Sequence, residues 1–179
     1  EEEGIVTIGC AGGVDIIATK TLHREKKKLH LYAYHISGLP GGHSGVDIDK
    51  DIPNAISLLF KKLCAERSYI VEVNGGERRN SIPKKADIVF GLEREEDIDG
   101  AEYLGLKEVD VMGDSCAVIE LLSRFDSGVR GLNKELDIVQ TSINLALIES
   151  AEDALRVQLS GRSMDYEDLK NLENETRAY

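Results

Sequence analysis

The sequence predicts an α+β fold, an antiparallel sheet with two main helices packed on one of its faces. Three observations lead there. Strand-like and helix-like stretches come in the order strands, helix, strands, helix, strands. Both helical stretches are amphipathic, so each needs one face covered. The strand stretches alternate enough to leave one sheet face to solvent, as antiparallel sheets do.

Taken in order, Gly4–Ile8 and Val14–Ala18 are short β-branched runs separated by the glycine-rich turn 9–13. Leu29 to Ser37 alternates with period 2, placing Leu29, Leu31, Ala33 and His35 on one face and His30, Tyr32, Tyr34 and Ile36 on the other. The charged stretch Arg24 to Lys28 reads as a solvated hairpin connection between these strands. After the loop 38–45, helical spacing of Ile52, Ile56, Leu59, Phe60 and Leu63 predicts a helix from about Asp51 to Glu66, with Asp51 as N-cap and Pro53 in the first turn. Tyr69–Val73 and Ala86–Phe90 are further strands. Residues 92–115 hold nine Asp or Glu against Arg94 and Lys107, and read as an exposed element or loose connection. A second helix is expected from Ser115 to Phe125, capped by Asp114, with Ala117, Val118, Leu121, Leu122 and Phe125 inward. Strands follow at about Leu136–Ile148 and Ala154–Ser160. The polar tail from Asp165 begins like a capped helix. No repeat or linker is visible, so residues 1–165 form one domain and 166–179 a polar helix or tail.

Composition narrows the function classes. The chain has 179 residues and a net charge of −11, which repels phosphate backbones and argues against nucleic-acid binding. No apolar stretch approaches the roughly 18 to 20 residues a spanning helix needs, so no membrane role is expected. The opening Glu1-Glu2-Glu3 is not a signal peptide, and its lack of Met suggests a piece of a longer chain. Cys10, Cys64 and Cys116 are widely spaced and read as reduced thiols of a cytoplasmic protein.

Several local motifs fail on spacing. Asp47 to Asp51 begins like a calcium loop, but Ile52 and Leu58 stand where Gly and a bidentate Glu are needed. Residues 38–44 lack the second glycine and the Lys-Ser of a phosphate loop, and 42–46 lack the second glycine of a nucleophile elbow. Neither HExxH nor paired CxxC occurs, so no zinc site assembles from local motifs. Three places remain. His43 sits in the glycine loop 38–45, where backbone can approach a ligand closely. Residues 75–83 form a turn with a basic tip, and Arg162 follows a strand. Taken separately, none identifies a function.

In this order, however, they resemble a known family. Leu39 to Gly45 (LPGGHSG), with Asp47-Ile48 and Asn54-Ala55-Ile56, resembles the lid, or dimerisation, domain of the co-catalytic zinc peptidases, in particular the aminoacyl-histidine (Xaa-His) or cytosolic non-specific dipeptidases. Residues 3–13, Arg79-Asn80-Ser81-Ile82-Pro83, Val139–Leu145 and Arg162-Ser163 match further family segments, and the likeness spans roughly 3–165. One departure is Ile52, where the family often has Arg.

The resemblance implies a ferredoxin-like lid inserted into a catalytic domain, hence part of a hydrolase working on Xaa-His and other dipeptides. It implies two zinc ions held by that catalytic domain, no cofactor in this chain, and inactivity of the chain alone. It also implies a homodimer in the cytoplasm, with His43 reaching across the dimer to donate a hydrogen bond to the oxyanion. Asn80 and Arg162 would grip the dipeptide's C-terminal carboxylate, and Gly41, Gly42 and Gly45 would shape the loop. The residues alone leave a second possibility open, a stand-alone ferredoxin-like module that binds a small carboxylate.

Overall fold

The computed structural model describes residues 11–179, so the strand expected at 4–8 and Cys10 lie outside the described residues. In chain order the elements are β1 (Gly12–Thr21), β2 (Arg24–Ile36), β3 (Gly42–His43), α1 (Ala55–Lys61), β4 (Tyr69–Gly75), β5 (Ser81–Ile82), β6 (Ala86–Leu92), β7 (Glu102–Met112), α2 (Ser115–Arg124), β8 (Gly128–Asn133), β9 (Ile138–Ser150), β10 (Ala154–Ser163) and α3 (Tyr166–Ala178). Eight strands make one sheet in the order β1-β10-β9-β4-β6-β2-β7, with β8 also on β9, and β3 pairs β5 in a separate ribbon. Every pairing is antiparallel. The α+β architecture is as the sequence predicts.

The helices cover one face. Ile56, Leu59 and Phe60 of α1 share a core with Val118, Ile119 and Leu122 of α2 and with Ile70, Ile88, Phe90 and Ile148 of the sheet. Burying each such side chain stabilises the fold by about 1.5–3 kcal/mol. β2 keeps its period: Tyr32 and Tyr34 stack on Phe90 under the helices, while Leu29 and Leu31 join Val111 in a smaller cluster on the opposite face. The polar tail is a full helix. Asp165 caps α3 by accepting from the Glu167 and Asp168 amides, and Leu172 enters the main core.

Several expectations need correction. Residues 24–28 are not a connection but the first half of β2, and β1 and β2 do not pair; four strands separate them in the sheet. The acidic stretch supplies their partner, because β7 places Asp110 opposite Lys26 and Glu108 opposite Lys28. Two charge runs that look solvated one at a time complement each other across the ladder. The first helix is shorter than its apolar period suggests. Asp51 adopts a left-handed backbone (φ 50°), so the helix starts at the cap Asn54, whose side chain accepts from the Ile56 and Ser57 amides. In α2, Ile119 is buried while Ala117 and Leu121 are exposed, a rotation of the predicted inward face. Asp114 stands at the cap position without capping, its carboxylate being 2.9 Å from Lys20 Nζ. Finally, β8 was not foreseen; its Gly128 and Gly131 dilute any strand period. Cys64 and Cys116 are free thiols.

Candidate functional site

The glycine loop folds against the 76–85 connection through the smallest ribbon in the molecule. His43 pairs with Ser81 and Gly42 with Ile82, and the Ser44 amide donates to the Asn80 carbonyl at 2.9 Å. His43 and Asn80, the turn residue directly before β5, are thereby brought close, although 37 positions apart in sequence.

A tight turn follows His43. The Val46 and Asp47 amides donate to the His43 carbonyl, and the Asp47 carboxylate accepts the His43 amide at 2.7 Å. Lys50 Nζ holds the other Asp47 oxygen at 2.6 Å. Lys50 first, and then the His43 amide, keep the Asp47 carboxyl below the usual carboxylate range. The exposed His43 ring is oriented from within the same turn. Its Nδ1 accepts the Gly45 amide at 3.1 Å, so in the neutral ring the hydrogen resides on Nε2. An imidazole fixed in this tautomer presents a donor, not a base, at its free end.

Gly45 also touches the third predicted residue. A Cβ there would lie 2.9 Å from Arg162 Nε and 3.1 Å from Cζ, so the guanidinium lies over the glycine. Arg162 reaches this place from β10, where it pairs with Gly13 on one side and Ser142 on the other. Its Nε is buried without a hydrogen-bond partner, as is Ser44 Oγ, next to Gly45 in the chain. Gly42 allows a similar approach, because a Cβ would lie 2.8 Å from Ile52 Cδ1 and from Asp47 Cβ. Ile52 thus packs under the loop. Gly41 needs φ 64°, and its open face carries the Lys84 stem. The structure therefore brings His43, Asn80, Arg162 and the three loop glycines into one region.

Two buried asparagines that the sequence reading gave no role hold this region to the core. Asn144 of β9, 1% exposed, donates through Nδ2 to the Ser81 carbonyl at 2.8 Å. Its Oδ1 accepts from Asn54 Nδ2 at 3.3 Å, and the same Asn54 nitrogen donates to the Leu145 carbonyl at 2.8 Å. With both Asn54 cap bonds counted, the pair spends nearly all its polar capacity internally. Their signals in the sequence are an Asn on a strand otherwise reading Ile143-Leu145-Ala146 and the place of both in family-like segments. Arg79 ties the tip of the connection to β1 through Asp15 at 2.6 Å.

Among the described residues, no three His, Cys, Asp or Glu side chains converge to hold a metal ion. The acidic residue nearest His43, Asp47, is spent on Lys50 and a backbone amide. The zinc implied by the resemblance finds no ligand set here.

No protein-family profile matches the chain. The cytosol non-specific dipeptidase of Escherichia coli (strain K12) is 27% identical over 197 residues, a match covering 92% of this chain and 41% of that protein. The crystal structure of aminoacylhistidine dipeptidase from Vibrio alginolyticus superposes with a TM-score of 0.84 at 25% identity, over 99% of this chain and 43% of that one. The chain is a homologue of part of a dipeptidase. It spans less than half the length of either protein it matches. The likeness read from the motifs and the α+β fold class both stand. No helix among the described residues is long and apolar enough to cross a membrane.

Proposed function

We propose that the chain is the lid and dimerisation domain of a zinc-dependent dipeptidase acting on Xaa-His and other dipeptides. The observation that carries this reading is the His43 turn, whose ring offers Nε2–H as a fixed donor with Asn80 across the ribbon and Arg162 against Gly45. His43 donates to the oxyanion formed on the scissile carbonyl as the peptide bond is attacked. Arg162, with its buried Nε lacking a partner, and Asn80 bind the terminal carboxylate, which limits substrates to short peptides. The metal ions and the general base belong, on this reading, to a catalytic domain that covers the lid, and closure of the two excludes water. Gly12 pairs with Ser163, so the start of β1 and the end of β10 lie side by side, a geometry that suits an inserted domain. Homodimerisation and a cytoplasmic location are part of the same proposal, the latter because the bacterial relative is named for the cytosol.

The test is His43→Ala in the full-length enzyme. Loss of an oxyanion donor lowers kcat by about 10²–10³ with little change in KM. A loss confined to KM would overturn the oxyanion role. The purified 179-residue chain should not hydrolyse Xaa-His dipeptides, and zinc-dependent hydrolysis by it would refute the division of labour.

A further inference from the structure

The cleft between the loop 37–43 and the connection 77–85 differs in charge from the rest of the molecule. It has a volume of ≈ 810 Å³ and is lined by Arg78, Lys84 and Lys85 against Glu77, together with His43 and Asn80. The chain as a whole carries −11, so a cationic concavity is not its background. Among the described residues, none of the three cations pairs with a carboxylate. The single acid of the cleft, Glu77, is turned to the Lys84 backbone amide at 3.4 Å.

Lys84 is also not a free-swinging surface lysine. Its stem lies on Gly41 so closely that a Cβ there would meet Lys84 Cγ and Cε at 2.5 Å. Packing of the methylenes on Gly41 restricts the side chain and reduces the entropy lost when its ammonium binds.

We infer that this cleft receives a carboxylate-bearing side chain, and that among the dipeptides other than Xaa-His those ending in Asp or Glu are preferred. The inference rests on the dipeptidase reading, in which Asn80 holds the terminal carboxylate. Asn80 lines the cleft, so with the terminal carboxylate held there the nearest side chain is that of the C-terminal residue. Three cations around it favour an acid and disfavour Lys or Arg at that position.

The experiment measures kcat/KM of the full-length enzyme for Ala-Glu, Ala-Ala and Ala-Lys. It compares wild type with Lys84→Met, which keeps the stem and removes the charge, and with the triple variant that adds Arg78→Gln and Lys85→Gln. Wild type should rank Ala-Glu above Ala-Ala above Ala-Lys. Lys84→Met should lower the Ala-Glu to Ala-Ala ratio roughly twofold, and the triple variant about tenfold, the scale expected of solvated ion pairs. Added salt should compress the wild-type ratio and leave the triple variant's unmoved. Hydrolysis of all three peptides at ratios the variants do not change overturns the inference and leaves the dipeptidase reading standing. An equal fall for all three means the cations meet another part of the enzyme, and overturns it too. No hydrolysis of any dipeptide by wild type overturns both.

Discussion

Asp47 is the residue on which the orientation of His43 depends, and its chemistry sets a pH limit. Lys50 and the His43 amide both stabilise its charged form, so its folded pKa lies below the usual Asp value of about 3.9. A carboxyl lowered on folding contributes stability above its unfolded pKa and loses it as the pH falls through the folded one. The step in the His43 amide NMR signal that Asp47→Asn abolishes should therefore have its midpoint below about 3.9. A midpoint at or above the ordinary Asp value would contradict the clamp. Gly45 supports a second prediction. An added methyl meets only the distal atoms of Arg162, at 2.9–3.1 Å, so the arginine rather than the backbone yields. Gly45→Ala should change stability by less than about 1 kcal/mol. In the full enzyme it should raise KM, because the guanidinium is displaced; an unchanged KM would sink the placement of Arg162 in the site. The sequence showed the identity of these residues but not their connections. Asp47 there is the start of a failed calcium loop and part of a family-like segment, with no role of its own, since a carboxylate bonding a backbone amide four residues back leaves no periodic mark.

The ribbon of β3 and β5 is too short to fix itself, with two residues in each strand. Its anchorage is the Asn144 side chain, which is why a polar residue sits at 1% exposure on a central strand. Asn144→Leu leaves the Ser81 carbonyl without that donor and Asn54 without one acceptor. The cost should be about 2–3 kcal/mol in denaturant unfolding. Asn54→Ala should cost about 1–2 kcal/mol through the lost cap. The two effects should be non-additive, because both residues belong to one network. Strict additivity in the double variant would show that the two amides act independently. Stretches whose apolar period governs their burial, such as β6 and β2 from Leu29 onward, were legible in the sequence. Those governed by long-range partners were not. β7 looked like an acidic connection because its basic complement lies some 80 positions earlier on β2, at Lys26 opposite Asp110. The start of α1 was misplaced because Asp51 is a plausible cap by type, and only its left-handed backbone excludes it.

At the scale of the whole molecule, one chain assembles what the motifs scattered. The sequence placed His43, Asn80 and Arg162 in separate thirds, and the resemblance sent His43 across a dimer to a partner's site. Within one chain, however, the Arg162 guanidinium lies on Gly45, whose amide holds the His43 ring. On the proposed function, His43 and Arg162 of a given chain therefore serve the same active site, whichever subunit's catalytic domain covers it. This has a consequence for mixed dimers. Consider full-length His43→Ala and Arg162→Ala subunits combined in one dimer. If both residues of a chain act at one site, each site in the mixed dimer lacks one of them, and mixing restores nothing. If they act at different sites, one site lacks both residues and the other regains the full set, so half of the dimer's sites recover wild-type activity. Co-expression with two different affinity tags isolates the mixed dimer, and light scattering checks that it is one. We expect its kcat/KM to lie between those of the two parents, with no fraction of wild-type sites. Recovery toward half of the wild-type value would mean that the contact between Arg162 and the His43 turn is structural and does not define a shared site.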